Sequence, residues 1–416
     1  METVQPSNGS TLRTVFSLPV IVAALGYFVD IYDLVLFSIV RVPSLKALGL
    51  TGQELVDQGV FLLNMQMAGM LIGGIIWGVL GDRKGRLKIM FGSIFLYSVA
   101  NLANGMVSSI EAYATLRFIA GIGLAGELGA GITLVSEVLH KNVRGYGTMI
   151  VASVGVSGAI LANVIAKSYD WRTAFIIGGI LGLLLLALRF GVAESGMFRG
   201  MESQARLRKG SFLSLFTSRD RFGRFYHAIM IGLPSWFVVG VLITFSPEFA
   251  RMLGVQGTIS AGNAVMYCYI GLVAGDLMSG LLSQLLRSRK KVVLLFLLLT
   301  VAAVGIYFTA SGVSEATFYA ICGLLGFGIG YWAVFVTIAA EQFGTNLRAT
   351  VATSVPNFVR GMTVPITTLF LALRNQFGLQ QGAIMVGVLS LAIALFSLWR
   401  LEETFHKDLD YFEEFL

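Results

Sequence analysis

Charge is scarce in this chain: 13% of residues are Asp, Glu, Lys or Arg, against 56% hydrophobic, and the mean hydropathy is +0.79. A soluble domain of 416 residues needs a charged, mixed surface, so this composition points to a chain whose solvent is lipid. Cysteine is nearly absent. Cys268 and Cys322 both fall in apolar runs and imply neither a disulfide framework nor a metal site. The three histidines, His140, His227 and His406, lie near helix ends on one side of the membrane, so none is an evident intramembrane proton carrier. No Walker loop, zinc spacing or nucleophile elbow occurs, so an ATP-driven pump and an enzyme are unsupported and no cofactor is expected. "GIGLAG" at 121–126 fits the dinucleotide pattern. It lies in an apolar run with no strand before it, so its glycines read as close helix contacts. A secretory signal is not apparent either: residues 1–13 are polar, and the first apolar run carries two Asp.

What the chain has in abundance is long apolar runs. A spanning helix needs about 20 mostly apolar residues. Twelve runs meet that length, near 15–39, 58–80, 88–108, 112–136, 146–167, 172–193, 225–247, 260–286, 291–312, 316–339, 350–373 and 381–400. The fold class is therefore all-α, an integral membrane protein of twelve transmembrane helices. Of the 30 Lys and Arg, 22 fall on the side that holds both termini, six fall on the other, and Arg117 and Arg360 lie inside spans. That asymmetry follows the positive-inside rule and places both termini in the cytoplasm. The basic clusters "DRKGRLK" and "RSRKK" sit against helix ends, where topology and anionic lipid account for the +7 net charge and no nucleic-acid partner is needed.

The longest polar break runs from 194 to 224, is rich in Lys and Arg, and divides the spans six and six. This gives an N-terminal six-helix bundle over 1–193, a cytoplasmic linker over 194–224 and a C-terminal bundle over 225–416. "SEVLHKNVRG" at 136–145 and "AEQFGTNLRA" at 340–349 repeat Glu, Asn and Arg at one spacing, each at the cytoplasmic end of the fourth helix of its half. "GVLGDRKGRLK" at 78–88 has a weaker partner in "GLLSQLLRSRKK" at 280–291. Two halves repeated in the same orientation mark a transporter with its site between them.

These residues also carry a resemblance. "GDRKGR" after helix two resembles the signature loop of the major facilitator superfamily, and "RFIAGIGLAGE" at 117–127 its fourth-helix pattern of an Arg followed by spaced glycines. "SEVLHKNVRG" and "AESGMF" at 193–198 resemble the ends of helices four and six in its sugar-porter and metabolite:proton symporter branches. "AGE" at 125–127 and "DIYDL" at 30–34 lean toward the metabolite:proton symporters and are similar to organic-ion carriers. Two departures stand out. Gln284 occupies the place where the second-half loop often has Asp, and helix five lacks the Gly-Pro-Gly-Gly run of drug antiporters, which argues against efflux. The resemblance implies a major facilitator fold and pairing of a first-helix acid with the fourth-helix Arg.

Charges inside spans cost about 2.5–3.5 kcal/mol each near a helix centre, which makes them functional candidates. Asp30 and Asp33 share one face of helix one and lie ~4–9 Å outside its midpoint; Arg117 lies ~10 Å outside on helix four, and Glu127 ~5 Å inside. Burial and a facing Arg act oppositely on a carboxylate, so an acid that alternates between Arg117 and water is a proton switch; the bland reading is a static ion pair. Either Asp30 or Asp33 fits. Arg360 lies near the midplane of helix eleven, where Pro356, Gly361 and Pro365 loosen the backbone, and a guanidinium there suits a carboxylate or phosphate. Its alternative is a permanent pair with Asp276 on helix eight. Asn163 and Asn357 are polar candidates to line the site, because an amide in hydrocarbon needs a partner. Trp236, Tyr331 and Trp332 are candidates to wall a cavity, though such aromatics often only pack. Asp82, Arg83, Gly85 and Arg86 of the loop, with Glu137 and Arg144, read as a cytoplasmic latch, and Glu341 and Arg348 as its second-half counterpart.

The expected function is proton-coupled symport of a small organic anion such as a carboxylate. A sugar or polyol symporter, an exporter, and a transport-dead sensor or receptor are the alternatives. Expected partners are the substrate, protons and the lipid bilayer, with the chain acting as a monomer in a bacterial inner membrane.

Overall fold

The structure is a computed structural model that describes residues 18–84, 86–126, 151, 154–194, 212–405 and 413. The described residues of the first half form α1 (Leu18–Ala47), α2 (Gly52–Lys84), α3 (Arg86–Asn104), α4 (Ile110–Leu124), α5 (Gly158–Ser168) and α6 (Trp171–Glu194). After a 3₁₀ segment (Phe212–Phe216) the second half forms α7 (Arg219–Met230), α8 (Leu233–Phe237), α9 (Ser246–Met252), α10 (Ala261–Leu285), α11 (Arg289–Thr309), α12 (Glu315–Gly328), α13 (Trp332–Glu341), α14 (Thr345–Gly361), α15 (Thr363–Phe377) and α16 (Leu379–Arg400). These helices group into the twelve expected passes: α7 to α9 make the seventh, α12 and α13 the tenth, α14 and α15 the eleventh. Among the described residues, eight passes are long and apolar enough to cross a membrane by themselves. Several overrun the apolar runs: α1 continues past 39 to Ala47 through Pro43, and the last six residues of the expected linker, 219–224, already belong to α7. Gly85, Glu127, Glu137 and Arg144 lie outside the described residues.

The internal repeat is visible in packing. Gly69 of α2 sits against the Phe118 carbonyl of α4, and Gly121 of α4 against the Gln66 carbonyl of α2, so close that a Cβ on either would overlap backbone. In the second half Gly271 of α10 and Gly326 of α12 repeat that embrace against the carbonyls of Gly323 and Cys268. Small residues let backbones approach and gain van der Waals contact where lipid offers no hydrophobic drive. The "GIGLAG" glycines thus do the packing work expected of them.

The two halves meet through α1 and α5 against α10, and through α2 against α14 and α15. The passes nearest this seam are interrupted. The seventh breaks at Gly232, winds as a π-helix over Val238–Ile243, and restarts at Ser246, and the tenth breaks over residues 329–331. Interrupted backbone in a membrane needs polar partners from protein or a cavity. One such partner is Tyr331, whose hydroxyl donates to the Ile231 carbonyl at 3.0 Å and joins the two breaks.

Candidate functional site

Helix periodicity brings the intramembrane charges to the seam. Arg360, 1% exposed and one turn after Pro356, donates from Nη2 to Asp30 Oδ2 at 3.4 Å, and Asp30 is fully buried. The pair crosses from the second half to the first. This corrects one alternative: Arg360 does not pair with Asp276. Asp276 is half-buried and accepts at Oδ1 from the Ala333 backbone N–H at 3.0 Å, at the start of α13, where the helix dipole favours a carboxylate. The Gly275–Gly330 contact, too close for a Cβ, brings it there. Arg360 keeps Nε and Nη1 without a hydrogen-bond acceptor among the described residues. A buried guanidinium with two idle donor nitrogens is a ready anion receptor.

Asp33 lies one turn from Asp30, buried, in the field of Arg117 and Asp30. Asp33 and Arg117 do not close to ion-pair distance. Arg117 donates instead to Asn101 Oδ1 at 2.5 Å and to Gln66 Oε1 at 3.4 Å, with its guanidinium 4.6 Å above the Phe175 ring. The pairing of a first-helix acid with the fourth-helix Arg is therefore indirect here, and the direct ion pair is made to helix eleven.

Asn163 and Asn357 both reach across the seam. Asn163 Nδ2 donates to Asn263 Oδ1 at 3.2 Å, and Asn357 Nδ2 to the Ala125 carbonyl at 2.7 Å, where the fourth helix ends. Trp236 and Tyr331 are buried, and Trp332 packs on Phe335 with ring centroids 5.1 Å apart. Of the latch residues, Glu341 pairs with Arg289 at 3.2 Å and accepts from Thr404 at 2.6 Å. Arg348 donates to the Phe343 carbonyl at 3.4 Å. Both contacts stay inside the second half. Asp82 and Arg83 fall in the last turn of α2 and Arg86 opens α3.

Sequence reasoning missed the far face, opposite the one where α1 begins and α16 ends. There Arg41, fully buried, donates to Glu248 at 2.7 and 2.9 Å and to the Thr244 carbonyl at 3.1 Å, 4.2 Å above the Phe245 ring. Beside it Thr244 donates to Ser38 at 3.1 Å, Thr367 to Asn64, and Arg374 to Gln53, with Asp57 3.5 Å from Arg374. All of these join the first half to the second, so the far face is held shut by polar contacts. Tyr27 and Tyr269, which the sequence reading did not single out, precede Asp30 by three residues and Asp276 by seven, on the same helix faces.

Two helical halves, broken helices at their seam and buried charges across it define a membrane transporter. The chain belongs to the Major Facilitator Superfamily, whose family profile matches residues 23–361. It is similar to the putative niacin/nicotinamide transporter NiaP of Bacillus subtilis, 24% identical over 364 residues that cover 85% of this chain and 88% of that one. A probable 4-methylmuconolactone transporter of Cupriavidus pinatubonensis is 26% identical over 398 residues, 91% of this chain and 89% of that one. Among solved structures it resembles the proton:xylose symporter XylE bound to 6-bromo-6-deoxy-D-glucose, with a TM-score of 0.70, 17% identity, and coverage of 97% and 98%. The chain is thus a multi-pass membrane transporter and not an enzyme.

Proposed function

We propose that the chain is a proton-coupled symporter of a small organic anion, a carboxylate, acting as a monomer by alternating access between its halves. The observation that supports it is the buried Arg360–Asp30 pair across the seam. Asp30 and a substrate carboxylate are interchangeable acceptors for one guanidinium. With both ionised, a net negative charge would stay in a low-dielectric seam, and with neither, Arg360 would be left unpaired; both states are costly. Two states are neutral. In the empty carrier ionised Asp30 holds Arg360; in the loaded carrier a proton sits on Asp30 and the substrate holds Arg360. Only these two reorient readily, which couples one proton to one carboxylate. Asp33 lies in the field of Asp30, so protonation of the two acids is linked.

A sugar or polyol offers Arg360 no charge in exchange for Asp30, which weighs against that alternative. One relative is named for niacin and nicotinamide, and niacin is a ring carboxylate, which favours a ring-bearing acid. We place the protein in a bacterial inner membrane with both termini cytoplasmic, so the far face closed by Arg41 and Glu248 is periplasmic. The test is Asp30→Asn in proteoliposomes: uphill carboxylate uptake is lost while exchange persists. Undiminished uphill uptake overturns the coupling.

A further inference from the structure

Four of the buried tyrosines have a place for the hydroxyl proton. Tyr32 donates to the Ala174 carbonyl at 2.8 Å, Tyr307 to Leu242 at 3.0 Å, Tyr331 to Ile231 at 3.0 Å, and Tyr113 to the Ser44 hydroxyl at 3.5 Å. A buried hydroxyl without an acceptor costs about 1–3 kcal/mol, so such pairing is stabilising. Tyr27 and Tyr269 show no such donated bond. They are 8% and 4% exposed, and neither hydroxyl donates to an acceptor among the described residues.

Both lie around the Arg360–Asp30 pair and come from opposite halves, Tyr27 on α1 and Tyr269 on α10. The Tyr27 hydroxyl accepts from Arg360 and lies one helical turn from Asp30, and Tyr269 lies in the field of Tyr27, Arg360 and Asp30. Arginine only donates, so it leaves both phenol protons unplaced. The ring of Tyr27 is seated by Gly155, where any Cβ would overlap it. Two phenol protons without an acceptor among the described residues thus lie near a guanidinium with donor nitrogens to spare.

We infer that Tyr27 and Tyr269 donate hydrogen bonds to a second polar group on the carried anion, a ring hydroxyl, ring nitrogen or carbonyl, and so select such acids over plain carboxylates. This rests on the reading of Arg360 as the anion's partner. A donor reaching the same ligand from each half also ties the halves together around it. Selectivity of this kind is strong because the unsubstituted analogue leaves the site's buried groups unpaired.

The test is calorimetric titration of the full chain in nanodiscs with benzoate, 3-hydroxybenzoate, 4-hydroxybenzoate and nicotinate. At least one of the three substituted acids is expected to bind about tenfold or more tighter than benzoate, and Tyr27→Phe or Tyr269→Phe to bring that ratio within about threefold. Benzoate affinity and the thermal midpoint stay as in the wild type. Equal binding of all four acids overturns this inference alone, as does a preference that survives both substitutions. A variant that loses benzoate together with thermal stability shows a packing role and also overturns it. Failure of the wild type to bind any of the four takes the anion reading down as well.

Discussion

Replacing Asp30 by asparagine removes the charge that Arg360 holds at 3.4 Å while keeping the side chain's size. Arg360 is 1% exposed, so water does not replace the lost partner. Deleting one member of a buried pair costs about 3–5 kcal/mol. The asparagine carbonyl recovers about 1.5–3 kcal/mol as an acceptor for a charged donor. Roughly 2 kcal/mol of unmet interaction remains, and an incoming carboxylate satisfies it, which corresponds to about 30-fold tighter binding. In the wild type the substrate competes with ionised Asp30, so affinity rises as pH falls and Asp30 takes up its proton. In the variant that competitor is gone and affinity is flat with pH. Calorimetric titration of nicotinate into both proteins in nanodiscs, across the neutral range, measures both quantities. Equal affinities with equal pH slopes would refute the exchange of Asp30 for substrate.

Other outcomes follow from separate parts of the molecule. Glu248→Gln weakens the hold of Arg41 across the far face, so labelling of Ser38→Cys by an impermeant maleimide added to that face should rise at least about threefold as the open state gains population; unchanged labelling would deny Arg41 and Glu248 a gating role. Gly326→Ala forces a methyl into the Cys268 carbonyl, an overpacking that costs about 1–3 kcal/mol or more, whereas Gly305→Ala enters open space. The thermal midpoint in detergent should fall for the first and hold for the second. At the termini face Glu413 accepts from Arg224 at 2.9 and 3.2 Å and from the Gly344 backbone N–H at 3.3 Å. Burial alone would raise this carboxyl, but Arg224 and Gly344 together hold it below the usual glutamate value. A depressed carboxylate lends its contact fully at neutral pH and loses it only as pH falls through the lowered value. Proteolysis of the C-terminal tail should therefore quicken at neutral pH in Glu413→Gln and only under strong acid in the wild type.

Much of the fold was legible because membrane spans are written locally. An apolar run of sufficient length specifies a helix whatever its neighbours, and the glycines of "GIGLAG" and of α12 announce close packing by their spacing. The candidate site was legible as a set of buried charges and not as a set of partners. Asp30, Asp33, Arg117, Arg360 and Asp276 stand out because each is costly in lipid. Helical counting gives their depth but not their azimuth across the seam, so Arg360 was matched by depth to Asp276 when rotation of α1 and α14 brings it to Asp30. Asp276 found its partner in a backbone N–H exposed by the break before α13, and such a break leaves only a Gly-Tyr signal in sequence. Arg41 and Glu248 sit near span ends, where a charge reads as topology, and only the tertiary fold shows them closing one face. Tyr27 and Tyr269 carry no formal charge and therefore raised no alarm, although their spacing to the acids was visible.

The most direct test of the Asp30–Arg360 exchange is proton movement itself. Proteoliposomes loaded with a pH-sensitive dye are given benzoate, hydroxybenzoates and nicotinate in turn, with no imposed gradient, and buffered against passive entry of the neutral acids by comparison with protein-free vesicles. Protein-dependent acidification of the lumen with at least one carboxylate, absent in Asp30→Asn and in Arg360→Gln, is the expected result. Carboxylate uptake by the wild type with no accompanying proton entry would contradict it.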